Sequence, residues 1–424
     1  MRLFFAPLAA ARAAAHAAAA RIPTLSIPFS KLAGAATTAL AAAYFYTHES
    51  EDSVVANMCR VFEHGGAPAW DADFEFADRH GGVPRLALHG QILALLSPRV
   101  TPDAKRYAAV VGASGTGKST AVRKAVRASG SGRVKGAVYF MAPTGITSFS
   151  TDLMRALDYR EPFSLLSPFR SLVSKDAKEP ASQIALLQPV ASWRSLAPIL
   201  RKAARRFTSL HGRPAVLVLD AMDLVAKKDP AFFSEVQDFA KQCADDGTLR
   251  IVLVFSDGRA LPLLQSNSAL SRSIKPFEVG DISDEEAESY LLGLGVSGER
   301  AKALVKEVAG GRFPLLQEHA LTGEAVEDIV RQLHIKTETD LIGVAVSPSC
   351  ALFRALLAQK SVTTAAALRL LGKGQVSALL ELNILAAHPD GTFTFHSRHV
   401  ASYVAREVEK AARAEAARSS RWWF

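Results

Sequence analysis

Short apolar runs alternate along the chain with stretches whose apolar residues recur at helical spacing. The runs are RYAAVVG (106–112), GAVYFMAP (136–143), PAVLVLD (214–220), LRIVLVFSDGRA (249–260) and SIKPFEVGDIS (273–283). Helical stretches at 118–129, 148–158, 191–207 and 230–244 fall between the first four. This alternation predicts parallel strands joined by crossover helices, an α/β fold with a parallel sheet. Beyond 283 the pattern changes. SDEEAESYLLGLG (283–295), GERAKALVKEVAG (298–310) and FPLLQEHALTG (313–323) predict a run of short helices. Residues 347–405 predict three helices and then two strand-like runs joined at Asp390-Gly391, the pattern of a winged helix. The expected organisation is a leader at 1–48, a helical linker region at 49–100, a core at 101–282, a helical lid at 283–346, a winged-helix-like domain at 347–405 and a tail at 406–424.

The first strand runs into VVGASGTGKST, and Gly112 to Ser119 fit the phosphate-loop pattern G-x-x-x-x-G-K-[ST]. Gly112, Gly115 and Gly117, with Ser114 and Thr116 between them, let backbone N–H groups wrap a phosphate. Lys118 would neutralise the β- and γ-phosphates, the Ser119 hydroxyl would hold magnesium, and Thr120 continues the first helical turn, whose N-terminus favours an anion. The implied ligands are a nucleoside triphosphate, expected to be ATP, and Mg²⁺.

A second carboxylate is needed to complete such a metal site. Asp220 ends an apolar run, where an acid reaches magnesium through water or, alternatively, caps the next helix. The run at 249–260 is expected to be an additional strand inserted between the phosphate-loop strand and the Asp220 strand. Ser256, Asp257 and Arg259 at its end would then face the γ-phosphate or form an ordinary polar turn. Ala221 follows Asp220 directly, so no glutamate stands there to polarise water, and Asp223 is the nearest acid. Asp223 either orients water or caps a helix, and hydrolysis through an offset carboxylate is expected to be slow. The candidate catalytic residues are thus Lys118, Asp220, Asp223 and Arg259, with Ser119 and Asp220 at the metal.

Taken together, GASGTGKST, VLVLDAMD, VLVFSDGR, VGDISDEEAESYL and GGRFPLL resemble the AAA+/STAND-like ATPases, particularly the archaeal-type ATPase group. A closer resemblance is to the P-loop NTPase domains of fungi and oomycetes that accompany Crinkler and retrotransposon-hot-spot-like proteins. VPRLALHGQILALLSP (83–98) and GAVYF (136–140) match further segments of that pattern, and the likeness covers about residues 80–320. The resemblance implies a P-loop NTPase core followed by a helical lid, acting as a nucleotide-dependent switch. It also implies a nucleotide-sensing role for Arg312, although two residues, Arg312 and Phe313, separate glycine from proline where the family often has one. A plain helix-start turn is the alternative for Arg312. The alternative function is that of an accessory protein of a mobile-element or Crinkler-like system without significant turnover.

Composition narrows the partners. The net charge is +9, but Arg2, Arg12, Arg21 and Lys31 lie in an acid-free leader, leaving five charges for the rest. RKAARRF (201–207) reads as a solvated helix face, and the third winged-helix segment offers Lys373 and Glu381 but no arginine for base edges. Nucleic acid is therefore not the favoured partner; a protein contact through 347–405 is, and oligomerisation stays open. His396 and His399 flank a serine and are read as ending the wing. The alanine- and arginine-rich leader has the composition of an organelle transit peptide, with the mitochondrion expected and plastid or cytosol as alternatives. LAGAATTALAAAYFY (32–46) would reach only about 22 Å as a helix against a ~30 Å hydrocarbon core, so membrane association there is the minority expectation. Cys59, Cys243 and Cys350 lack metal-ligand spacing and read as buried thiols.

Overall fold

Five parallel strands form the central sheet of the computed structural model: β1 (Ala108–Val111), β2 (Ala137–Met141), β3 (Ala215–Asp220), β4 (Leu249–Val254) and β5 (Phe277–Glu278), in the order β2-β3-β4-β1-β5. The described residues are 51–65, 83, 85–97, 106–128, 136–159, 192–256 and 276–420. Apart from Glu51 they fall in one unit, residues 52–160 with 188–424. The leader, the 32–46 segment, Asp257 and Arg259 lie outside the described residues.

The inserted strand is where the sequence places it, since β4 pairs with both β1 and β3. Every residue of β1, β3 and β4 is buried, which explains their continuous apolar runs. Period-two alternation then sorts these side chains between two cores. Ala109, Val111, Leu217, Leu219, Ile251 and Leu253 join one, against α1 (Glu51–His64), α4 (Phe149–Ala156), α5 (Trp193–His211) and α7 (Pro230–Asp246). Ala108, Val110, Val216, Val218, Val252 and Val254 join the other, against α2 (Leu86–Leu96) and α3 (Lys118–Ala128).

Residues 51–64, within the helical region expected at 49–100, form α1, whose Val54, Met58 and Phe62 are buried in the first core. Of the fifth run, 273–283, the described residues 276–283 hold a strand at Phe277–Glu278, which pairs with β1. The helix expected at 148–158 is preceded by a 3₁₀ turn at Ile146–Ser148, and α6 (Met222–Lys228) follows β3 at once.

Beyond the sheet, α8 (Asp284–Gly293), α9 (Gly298–Ala303), a π-helical turn (Leu304–Ala309), α10 (Phe313–Ala320) and α11 (Val326–Gly343) share a separate core. The α8 start is secured by a reciprocal Ser283–Glu286 capping box. A fourth core unites α12 (Ala351–Gln359), α13 (Thr364–Leu371), α14 (Lys373–Glu381) and a small antiparallel sheet of β6 (Val362–Thr363), β7 (Leu385–Ala387) and β8 (Thr392–Phe395). It is closed by α15 (Arg398–Ser420), which runs on through most of the expected tail. Among the described residues no helix is long and apolar enough to cross a membrane.

Candidate functional site

The loop between β1 and α3 is held by close backbone approach. Gly112 has φ 152°, and a Cβ there would lie 2.3 Å from the Val279 carbonyl oxygen. Gly115 has φ 83°, and its Cβ would lie 2.6 Å from Pro314. Both positions therefore require glycine. Arg85, half-buried at the start of α2, ties the loop from outside, donating to the Thr116 carbonyl at 3.1 Å and the Gly280 carbonyl at 3.1 Å. Ser114 and Thr120 are exposed and Ser119 is half-buried, while Thr116 is buried and its hydroxyl donates to Ala113 O.

Lys118 is 3% exposed, and its ammonium donates to Ala113 O at 2.6 Å and Thr116 Oγ1 at 3.4 Å. Burial pushes its pKa down to about 8, with Asp220 opposing and Arg312 reinforcing the shift. A buried cation whose hydrogen-bond partners are neutral oxygens is the arrangement an anionic ligand completes.

At the end of β3, Asp220 is buried. Its Oδ1 accepts from Ala221 N at 2.6 Å, and its Oδ2 accepts from the Tyr139 hydroxyl on β2. Ala221 has φ 58°, a left-handed turn that swings the chain directly into α6. Asp223 lies inside the first turn of α6 rather than at its cap, and its Oδ1 accepts from Ser256 N at 3.0 Å. That bond joins the ends of β3 and β4. Ser119 and Asp220 supply hard oxygen donors suited to magnesium, but only two of them, so phosphate oxygens and water would fill the remaining positions. Among the described residues no group of three or more His, Cys, Asp or Glu could hold a metal ion without them.

Arg312 approaches the same loop from the far side. It is 5% exposed at the N-cap of α10. Its Nη1 donates to Ser114 O at 2.6 Å, and Nε and Nη2 form a forked ion pair with Asp281 at 2.8 and 3.0 Å. Nη2 also donates to His396 O at 2.7 Å, and Nη1 lies 3.0 Å from His396 Nε2. Burial, then the Arg312 charge, push His396 down to about 3, so its ring is neutral and Nε2 accepts. The Gly310-Gly311 pair permits this approach: a Cβ on Gly311 would lie 1.9 Å from Ile282 O.

Beside the loop lies a cavity of about 510 Å³ whose lining includes Leu86, Leu88, Ala121, Tyr290, Phe313 and Pro314. Gly115, Gly117 and Thr120 form its floor, whereas Lys118 and Asp220 do not line it.

Sequence reasoning singled out the loop, Asp220, Asp223 and Arg312, while Arg85, Tyr139 and Asp281 lay inside quoted segments without a role. His396 was read only as ending the wing, and its contact with Arg312 spans 84 positions of chain.

Residues 85–253 match the AAA ATPase domain family. No curated protein matches the chain. Among solved structures, the chain is similar to a Walker-type ATPase of Pyrococcus abyssi at 14% identity, over 77% of this chain and 97% of that one, with a TM-score of 0.47. It is also similar to Cdc6p of Pyrobaculum aerophilum at 14% identity, over 83% and 98%, with a TM-score of 0.35. For the ORC2 protein of Aeropyrum pernix, solved as an ADPNP-ADP complex, the values are 14%, 84% and 98%, and 0.33. The matched residues hold the phosphate loop and β1 to β4 of the inserted-strand parallel sheet, so this part of the chain is similar to AAA ATPase domains.

Proposed function

We propose that the protein is an ATP-dependent switch that hydrolyses its nucleotide slowly and signals its state through the C-terminal unit. The observation that carries this reading is Arg312, which joins the phosphate-loop carbonyl of Ser114 to Asp281 and to His396 beyond β8. A ligand that displaces the loop by an ångström alters the Arg312–Asp281 ion pair and the contact with the C-terminal unit together.

In this reading the backbone amides from Gly112 to Ser119 hold the phosphates, Lys118 lies against the β- and γ-oxygens, and the apolar cavity receives the base. Ser119 and Asp220 would hold magnesium, which supplies charge neutralisation at the phosphates when bound. With Ala221 in the place of an adjacent base and Asp223 held by Ser256 N, the described part of the site offers water an offset carboxylate. We read 283–346 as the lid and 347–405 as a winged helix that contacts a protein. For the leader we keep an organelle address, the mitochondrion first, on composition alone.

Isothermal titration of ATP and a single-turnover assay test the reading. Micromolar or tighter binding with a long-lived bound triphosphate is expected, whereas fast hydrolysis indifferent to Asp223→Ala would place the base elsewhere and remove the slow-switch function. The likeness to Crinkler- and retrotransposon-hot-spot-associated NTPases rests on sequence segments alone; ATP binding without significant turnover, with or without DNA, would favour that accessory role.

A further inference from the structure

We infer that Tyr139 and Arg123 are a positioning pair that fixes the Asp220 carboxylate for magnesium, an inference that rests on the nucleotide reading above. Tyr139 sits on β2, the strand next to β3, and its ring lies in the core shared by α2 and α3. Its hydroxyl reaches Asp220 Oδ2. Arg123, on the helix that follows the phosphate loop, donates from Nε to the same hydroxyl oxygen at 3.1 Å. Its guanidinium also lies over the ring, 5.3 Å from the centroid.

The direction of these bonds follows from the inventory of protons. A guanidinium only donates, and a phenol has a single proton. Because the Tyr139 oxygen accepts from Arg123, its proton is committed to Asp220. The other carboxylate oxygen accepts from Ala221 N at 2.6 Å. Two donors, one from β2 and one from the turn after β3, therefore fix the rotation of a carboxylate that is 1% exposed. Each oxygen keeps a lone pair with which to accept from a metal-bound water. Outer partners of this kind orient a ligand without touching the metal. The relay also begins on the helix that carries Lys118 and Ser119, so one element sets both the phosphate-binding residues and the acid opposite them.

A tyrosine that merely filled the core would be replaceable by phenylalanine, which keeps the ring and its contact with Arg123. The test uses the full chain and a fluorescent N-methylanthraniloyl ATP, titrated in Mg²⁺ and in EDTA. For Tyr139→Phe the affinity in EDTA stays within about twofold of the parent protein, while the gain conferred by Mg²⁺ falls by roughly tenfold. Arg123→Met loses part of the same gain, and Arg123→Lys, which retains a donor, recovers it. A Tyr139→Phe variant that keeps the full metal-dependent gain overturns the inference. So does an equal loss in both buffers, which would mark general damage to the loop. Absence of binding by the parent protein in either buffer overturns the nucleotide reading and this inference with it. Should circular dichroism show Tyr139→Phe unfolded, Arg123→Met decides, and an intact metal gain there overturns the pairing.

Discussion

Lys118 stands between two differently built sides of one site. On the sheet side, Tyr139 and Asp220 are set by parallel strand pairing inside a buried core, with Tyr139 aligned to Val218 and Met141 to Asp220, and half-buried Asp223 follows in the first turn of α6. On the other side, Asp281, Arg312 and His396 come from three separate segments and meet only because the helical and C-terminal units dock on the core. That docking includes ion pairs: Lys227–Glu381 at 2.8 Å and His388–Glu278 at 2.5 Å tie the C-terminal unit to the core, and Arg398–Asp284 at 2.5 Å ties it to the helical unit, beside Arg312 itself. Buried apolar packing holds groups in place, whereas half-exposed ion pairs contribute little each and yield readily. The sheet side is therefore suited to fixed chemistry, and the docked side to movement.

The largest effects should break the sheet side. Lys118→Ala is expected to weaken ATP binding at least tenfold, or about 1.4 kcal/mol, by isothermal titration. Asp220→Asn should spare much of that affinity but abolish Mg²⁺-dependent turnover, measured as phosphate release. On the docked side, Arg312→Ala leaves Asp281 and the Ser114 carbonyl without their shared donor. It should cost roughly 2 kcal/mol in urea unfolding, with Arg312→Lys recovering less than half, because an ammonium cannot reproduce the fork.

A subtler substitution sharpens the division. Ala221→Glu should raise turnover by supplying an adjacent base, while Asp223→Ala should lower it, both in single-turnover assays. The smallest effect concerns pH. The hydrogen bond to Glu278 raises the His388 pKa against the opposing effect of burial, with Glu278 and Asp390 adding attraction. A raised folded-state pKa contributes stability that is complete below the unfolded value near 6.5 and is lost as pH rises through the folded value. C-terminal docking should therefore weaken above neutrality by under about 1 kcal/mol, and Glu278→Gln should abolish this dependence in unfolding titrations.

The same division explains what was legible in the sequence. The sheet side was readable because the loop, the strand ending in Asp220 and the inserted strand are each continuous local patterns. Tyr139 escaped because an apolar run ranks it as core, and only strand adjacency reveals the carboxylate it reaches. Residues 51–64 carry apolar side chains at Val54, Met58 and Phe62, a helical spacing, yet nothing in that spacing says which sheet face they cover. In the described part of the fifth run, β5 pairs with β1 over two residues, a length the apolar run alone does not set. On the docked side only Arg312 was given a role at the nucleotide, through its glycine-rich segment, while His396 was read as ending the wing. Its partners Asp281 and His396 lie 31 and 84 positions away and share no motif with it.

The central claim, that bound nucleotide is communicated from the phosphate loop through Arg312 to the C-terminal unit, is tested most directly by energy transfer between fluorophores. Non-natural amino acids at the exposed positions Leu210 on α5 and Leu368 on α13 would carry them. Transfer efficiency is expected to change between nucleotide-free protein and protein saturated with a non-hydrolysable ATP analogue, and to stay constant in Lys118→Ala. An unchanged efficiency in protein shown by titration to be fully loaded would contradict the account.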